Sequence, residues 1–445
     1  MTVRLREALR EATDDLPGYP VYERALATAR RTRRRTAAAS AAVFMVVAAM
    51  VWMVPLQHIR GGTAGAASGA GSGALPDQIW VPTGALRVTD PFPIGAAAVL
   101  FSGMGSDEDG TVGVVGADTD RYRALHVGIP APAGQVVLLS PDGTRLAYPS
   151  EGFIAGPRVN VVDLINGSVQ KIPAVVDGSA WSRPLGWSPD GRRIVVVDTV
   201  PVDAERSEYR NVVSLVELAT GAAVHLATTG DTGSSLVPGY AVAFAPDGQK
   251  LALQLDDTVV ITDLASTPGP TFRLPADSVL AGKGAWTPDG RTLTIARWQD
   301  HRWTLAGVDP TTGAPLTDLG MPEVSGVTAI RLLGWGPGGV ALVAAYQPNP
   351  RGVPSVMPID QRIHYGHVHT VRLLSLAPGA AAPVTRMAAP PEVKSVDVAD
   401  ELIATGRSRD AEPPLILLGP RGWFWLVVGV AVAAVFFGRL WYTTR

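Results

Sequence analysis

The chain contains no cysteine. That excludes disulfide frameworks, thiolate metal sites and cysteine nucleophiles together, and it leaves the redox state of the compartment open. Charge is scarce as well: charged residues make up 18% of the chain against 47% hydrophobic. This balance excludes disorder of the polar, self-repelling kind and points to a membrane protein, to many buried strands, or to both. Three reaction signatures are missing: the Gly-x-Ser-x-Gly elbow, the Gly-x-x-x-x-Gly-Lys phosphate loop and the His-Glu-x-x-His helix. The chain therefore reads as one that binds rather than catalyses. No cofactor is expected.

What is present divides by position. Residues 1–36 carry nine arginines against five acidic residues, and Arg439 and Arg445 close the other end, so the middle of the chain is acidic although the net charge is only -2. Arg30-Arg31-Thr-Arg33-Arg34-Arg35 stands directly before residues 37–56, a run of twenty without charge. At about 1.5 Å per helical residue that run spans a hydrocarbon core of about 30 Å, and basic residues on its near side fit the positive-inside rule better than nucleic-acid binding. Residues 422–442 read as a second span, with Trp423 and Trp441 near its ends. Both termini are then cytoplasmic, with a basic helical head at 1–36 and a tail at 443–445. Residues 57–77 hold a Gly/Ala-rich tether, and 78–412 form an extracytoplasmic domain.

Within that domain one turn recurs: Leu139-Ser-Pro-Asp-Gly143, Trp187-Ser-Pro-Asp-Gly191, Phe244-Ala-Pro-Asp-Gly248, Trp286-Thr-Pro-Asp-Gly290 and, altered, Trp335-Gly-Pro-Gly-Gly339. Proline presets the turn backbone, and the small polar residue, Asp and Gly suit the other positions. An apolar strand follows each turn, as in Ile194-Val-Val-Val197 and Leu293-Thr-Ile295. The large residue before the turn is expected to pack between neighbouring sheets. Four antiparallel strands per period of roughly 40–50 residues make the blade of a β-propeller. The tryptophan followed by Ser-Pro-Asp-Gly resembles the TolB-type, WD-repeat-like propeller family and, with the flanking spans, membrane-anchored proteins of actinobacterial type. The resemblance implies a fold but not an activity. Two weaker repeats, at 95–115 and 396–404, bring the expected count to seven blades, with six or eight as alternatives. Gln78-Ile-Trp-Val81 or Leu86-Arg-Val88 would add a closing strand.

Elaborated segments fall on the face that carries the b–c loops, and a partner, either a protein or an envelope polymer, is expected there. The candidates are Asp107, Glu108 and Asp109, then Tyr209 and Arg210, then Trp298, His301 and Trp303. His367 and His369 share one face of a strand and could reach one metal ion, but no acidic or cysteine ligand adjoins them, so they are read as ordinary surface histidines. Asp107-Glu-Asp109-Gly110 lacks the later positions of a calcium loop. The head at 1–36 resembles short cytoplasmic heads linked to extracytoplasmic-function sigma factors, although the cysteine-based zinc pattern is absent. A transmembrane signal transducer acting on such a regulator is the alternative function, and a propeller enzyme a third.

Overall fold

A computed structural model describes residues 73–81, 95–103, 110–128, 132–150, 156–203, 208–229, 236–264, 268–316, 318–350, 359–362, 367–412 and 427–430. The chain divides into two units, Ala66–Gly419 and a second that joins Met1–Gly65 to Pro420–Arg445. Of the second, only the helical turn at 427–430 is described. The expected head and first span lie outside the described residues, as does nearly all of the second span. Among the described residues no helix is long and apolar enough to cross a membrane.

The first unit is all-β. Six four-stranded antiparallel sheets follow one another along the chain. Blade 2 runs Leu138–Leu139, Arg145–Pro149, Arg158–Asp163, Val169–Pro173, and blade 3 runs Trp181–Trp187, Arg193–Asp203, Glu208–Glu217, Ala223–Thr228. Blade 4 is Val242–Phe244, Lys250–Leu255, Thr258–Asp263, Pro268–Arg273, and blade 5 is Ser278–Leu280, Leu293–Gln299, Arg302–Val308, Val324–Ser325. Blade 6 is Ala329–Gly336, Val340–Pro348, Val368–Leu376, Val384–Ala388. Blade 1 is composite: Ser395–Val398 pairs antiparallel with Ala97–Ser102, which continues to Thr111–Gly116 and Tyr122–His126.

The ring therefore has six blades, not the expected seven. The two weak repeats counted separately are the two parts of blade 1, one supplying its first strand and the other its remaining three. Beyond Val398 the chain does not form the strand expected through residue 404. It turns into helix α2 (Asp400–Thr405), because the second-strand place is already held by Ala97–Ser102. Helix α2 ends on Gly406 at φ 64°, a left-handed cap that glycine takes without steric cost. The short helix α1 (Ile359–Arg362) lies within the long b–c connection of blade 6. Gln78 makes a single parallel bridge to Ala388 on the outer edge of blade 6, while Leu86–Val88 lie outside the described residues.

The repeated turns join the first two strands of a blade, as their residue types require. In blade 2 the Asp142 carboxylate accepts from Ser140 Oγ at 2.5 Å, Thr144 N at 3.0 Å and Thr144 Oγ1 at 2.7 Å, and Arg145 N donates back to Ser140 Oγ at 2.9 Å. The same box recurs at Ser188/Asp190 and Thr287/Asp289. Gly143 sits at φ 71°, where its amide donates to the Ser140 carbonyl. A side chain there would also strike the Ala97 carbonyl of blade 1.

Neighbouring blades are stitched along these corners. The tryptophan before the turn donates its indole N–H to the first-strand region of the preceding blade: Trp187 to Leu138 O at 3.5 Å, Trp286 to Ala243 O at 3.1 Å and Trp335 to Gly284 O at 2.8 Å. Each bond satisfies a polar atom that burial would otherwise strand. After the turn, Arg145 reaches the Gly191 carbonyl of blade 3 at 2.8 Å, with its guanidinium 5.4 Å from the Trp187 ring centre. The apolar strand faces meet between blades, as where Val159 and Val161 of blade 2 join Ile194 and Val196 of blade 3 in one core cluster. No blade can bury both faces alone, so the ring is the smallest unit that closes the core.

Closure between blades 6 and 1 is reinforced by a clasp. Leu75–Pro76 pairs in parallel with Ser408–Arg409. The Arg409 guanidinium forms an ion pair with Asp120 and donates to the carbonyls of Gly116 and Thr119, each at 3.2 Å, on the outer turn of blade 1.

Candidate functional site

On the face carrying the b–c hairpins, blade 3 presents the most prominent feature. Its second and third strands are 11 and 10 residues long. They run past the end of the first strand: Thr199 is the last residue paired with it, opposite Trp181, whereas the hairpin continues to Asp203 and Glu208. Tyr209, on this overhang, meets Trp181 with ring centres 5.3 Å apart and planes at 54°. Trp181 is 51% exposed and Val202 nearby is exposed too. The backbone beneath them is held firmly. Asp198, fully buried, accepts from Val175 N at 2.7 Å and Val176 N at 3.0 Å, and Ala180 N donates to Thr199 O at 2.8 Å. The crossing that delivers Trp181 is thus pinned, and ordering the indole for a partner costs little further conformational entropy. Arg210 is exposed on the same hairpin.

The aromatic cluster of blade 5 is built differently. Gln299 pairs with Arg302, so Asp300 and His301 form a two-residue hairpin loop, and both take positive φ, 48° and 63°, as a type I′ turn demands. Trp298 packs edge-on against His301 at 6.2 Å, and Arg362 of α1 lies over its ring at 4.7 Å. The b–c connection of blade 6 thus reaches back over blade 5 through a cation–π contact. Trp303 does not belong to this surface. It is 0% exposed, packs at a tilt against Trp298 with ring centres 5.4 Å apart and donates to Thr328 O at 3.0 Å, so it fills the core between blades 5 and 6.

Of the remaining candidates, Asp107, Glu108 and Asp109 lie outside the described residues. His367 and His369 are half-buried at the start of the third strand of blade 6. Among the described residues no group of three or more His, Cys, Asp or Glu side chains is placed to hold a metal ion.

The axis holds charges that sequence reasoning passed over. Lys283 of blade 5 reaches Asp397 of the closing strand at 2.9 Å, Asp400 of α2 at 2.6 Å and the Val398 carbonyl at 2.6 Å. Burial alone would lower the Lys283 pKa, but the carboxylates of Asp397 and Asp400 outweigh it and hold the ammonium above its ordinary value. Asp397 also accepts from Leu139 N at 3.2 Å, tying blade 2 to the same group. With apolar walls from Leu138, Leu185, Val242 and Phe244, these charges line a pocket of about 60 Å³. Nearby, the guanidinium of Arg331 is fully buried and donates to the carbonyls of Gly134 and Val396. A side chain at Gly134, where φ is 71°, would overlap that guanidinium. Tyr240 of blade 4 reaches across to Ile330 O of blade 6 at 3.1 Å. Arg331 and Tyr240 thus fill the middle of the ring with hydrogen-bonded polar groups. No local signal marks these residues, because the positions 134, 240, 283, 331 and 397 become neighbours only when the ring closes.

These features define a six-bladed propeller with a packed axis and an aromatic b–c face. No protein-family model matches the chain. No curated protein matches it either. Solved structures with a similar fold include TolB from Acinetobacter baumannii, at 16% identity over 65% of this chain and 67% of that one with a TM-score of 0.35. The putative TolB from Agrobacterium tumefaciens is 15% identical over 68% of this chain and 98% of that one, TM-score 0.38. Oligogalacturonate lyase from Vibrio parahaemolyticus is 12% identical over 68% and 81%, TM-score 0.39. The likeness to these β-propellers, the TolB kind among them, extends to fold alone. The blade assignment stands on strand order.

Proposed function

We propose that the chain is a membrane-anchored, extracytoplasmic β-propeller that acts by binding, with the b–c face as its recognition surface for a protein or an envelope polymer. The observation that carries this reading is the Trp181–Tyr209 pair, a half-exposed indole packed at a tilt against a tyrosine above a backbone fixed by buried Asp198. Large aromatic rings presented rigidly supply contact area at little entropic cost, and they dominate binding surfaces for that reason. The uncharged run at 37–56, preceded by the arginine cluster, and the segment 422–442, uncharged as far as Gly438 and then carrying Arg439, support anchoring with both ends in the cytoplasm.

Two measurements test the parts separately. Because the chain has no cysteine, a single introduced thiol is the only one a reagent can find. Thr220→Cys, on an exposed propeller turn, and Thr36→Cys, beside the first apolar run, report topology directly with a membrane-impermeant maleimide on intact cells. Labelling of the first and protection of the second is expected; the reverse pattern removes the extracytoplasmic assignment. For binding, a photo-crosslinking residue at position 181 in the full-length protein should give discrete adducts in the native membrane. The same residue at Asp247, on the opposite face, should not.

A further inference from the structure

One cavity lies beside the ring closure and plays no part in the recognition face. It has a volume of about 200 Å³ and is walled by blade 6, the closing strand, α2 and the clasp. Leu75, Leu342, Val398, Leu402 and Ile403, all buried, make its apolar lining. Arg386 and Arg407 line it too, and both are exposed. Among the described residues no aspartate or glutamate contributes to the wall. Arg386 Nε donates to Ser375 Oγ at 2.8 Å, and neither arginine has an ion pair among the described residues.

An apolar hollow beside two exposed guanidiniums, with no carboxylate in its wall, is complementary to a ligand that combines hydrocarbon with negative charge. Hydrocarbon would remove the lining from water. A carboxylate would accept from the planar N–H groups of arginine, its natural counterpart in geometry and charge. We propose that this groove binds a small anionic amphiphile, a medium-chain fatty carboxylate, with the chain against Leu342, Leu402 and Ile403 and the head group toward Arg386 and Arg407. The volume is below the roughly 300 Å³ at which pockets for drug-sized ligands begin, which suits one short chain and not a folded peptide or a double-chain lipid. The walls come from both sides of the seam between blades 6 and 1, so the groove is complete only in the closed ring. A ligand there stabilises closure by mass action.

The test uses the full-length chain in lipid nanodiscs, with octanoate and hexanoate as probes, followed by saturation-transfer NMR against empty nanodiscs. Saturable binding is expected, with octanoate tighter by about fifteenfold, since each buried methylene is worth about fourfold. The double variant Arg386→Gln/Arg407→Gln should weaken octanoate at least about tenfold, the loss expected for charge-assisted bonds, and octyltrimethylammonium should not compete. Val340→Trp, which fills the groove, should abolish binding while leaving the denaturation midpoint within error of wild type. If Val340→Trp does not fold, the arginine variant, with both changes at exposed positions, decides the matter alone. Saturable binding indifferent to the arginine changes, competition by the cationic amphiphile, or a signal equal to that of empty nanodiscs would each overturn the proposal.

Discussion

Replacing Lys283 with methionine is the sharpest probe of how the ring is held shut. The ammonium makes contacts at 2.9 Å to Asp397, 2.6 Å to Asp400 and 2.6 Å to the Val398 carbonyl. Removing one partner of a wholly buried ion pair costs about 3–5 kcal/mol, chiefly because the other charge is left behind. Here the burial is uneven. Side-chain exposure is 24% for Lys283 and 44% for Asp400, so water can compensate those ends, but it is 2% for Asp397. Asp397 keeps amide bonds from Leu139 and Val398. The net loss should be about 2–3 kcal/mol, or a fall in melting temperature of about 4–6 °C at roughly 2 °C per kcal/mol for a domain of this size. Asp397→Asn should cost less, because Lys283 retains Asp400, and the double variant should be clearly less damaging than the sum of the two. The assays are thermal unfolding by tryptophan fluorescence and amide hydrogen exchange, with faster exchange expected first in 395–398 and 97–102. A Lys283→Met protein that melts within about 1 °C of wild type, with unchanged exchange in those strands, would refute the latch.

Other expectations follow from the same contacts. Lys283 has a folded-state pKa above its unfolded value near 10.4, so its contribution is complete below about pH 10.4 and is lost as pH rises through the folded value. The stability gap between wild type and Lys283→Met should therefore close in alkali, as followed by denaturant titration. Asp142 behaves oppositely. Burial opposes its ionisation, but hydrogen bonds from Ser140 and Thr144 and the charge of Arg145 together hold its pKa below 3.8, so its contribution is present above that value and fades as pH falls through the folded one. The difference between wild type and Asp142→Asn should thus narrow below about pH 4. Trp286→Phe, which loses the bond to Ala243, should cost about 1–2 kcal/mol by chemical denaturation. Trp181→Ala should leave stability within about 0.5 kcal/mol while removing adducts formed by a crosslinker at position 209. Trp303→Ala should destabilise by about 3–5 kcal/mol, because its ring is fully buried.

Most of the architecture was legible because its signal is local and repeated. A Ser-Pro-Asp-Gly corner states its own conformation through Ser140, Asp142 and Gly143, and the tryptophan ahead of it packs against the preceding blade as its size and single N–H donor require. The blade count failed where one sheet draws on both ends of the domain: Val396 and Val398 carry a strand pattern without stating that their partners are Phe101 and Val99. The same gap explains α2. Asp400-Glu-Leu-Ile-Ala404 suits either helix or strand, and occupancy of the neighbouring place decides. In the candidate site, Tyr209 and Trp298 do lie on the expected face, whereas Trp303, directly opposite Trp298 and on the same side of the sheet, is completely covered, with its indole bonded to the Thr328 carbonyl at the entry to blade 6. Trp181 was missed because a single aromatic at the start of a strand looks like any core residue. The Lys283–Asp397–Asp400 group was beyond reach, since more than a hundred residues separate the cation from its anions.

The composite first blade also constrains the order of events during biosynthesis. Ala97–Ser102 leaves the ribosome long before Ser395–Val398, so its edge must wait, unpaired, while nearly three hundred intervening residues are made. Over that interval the open edge of Ala97–Ser102, including the carbonyls of Ala98 and Ser102, is a template for any passing strand. A nascent chain that stalls short of Ser395 should therefore depend on holdase chaperones, whereas one that stalls past Arg409 should not.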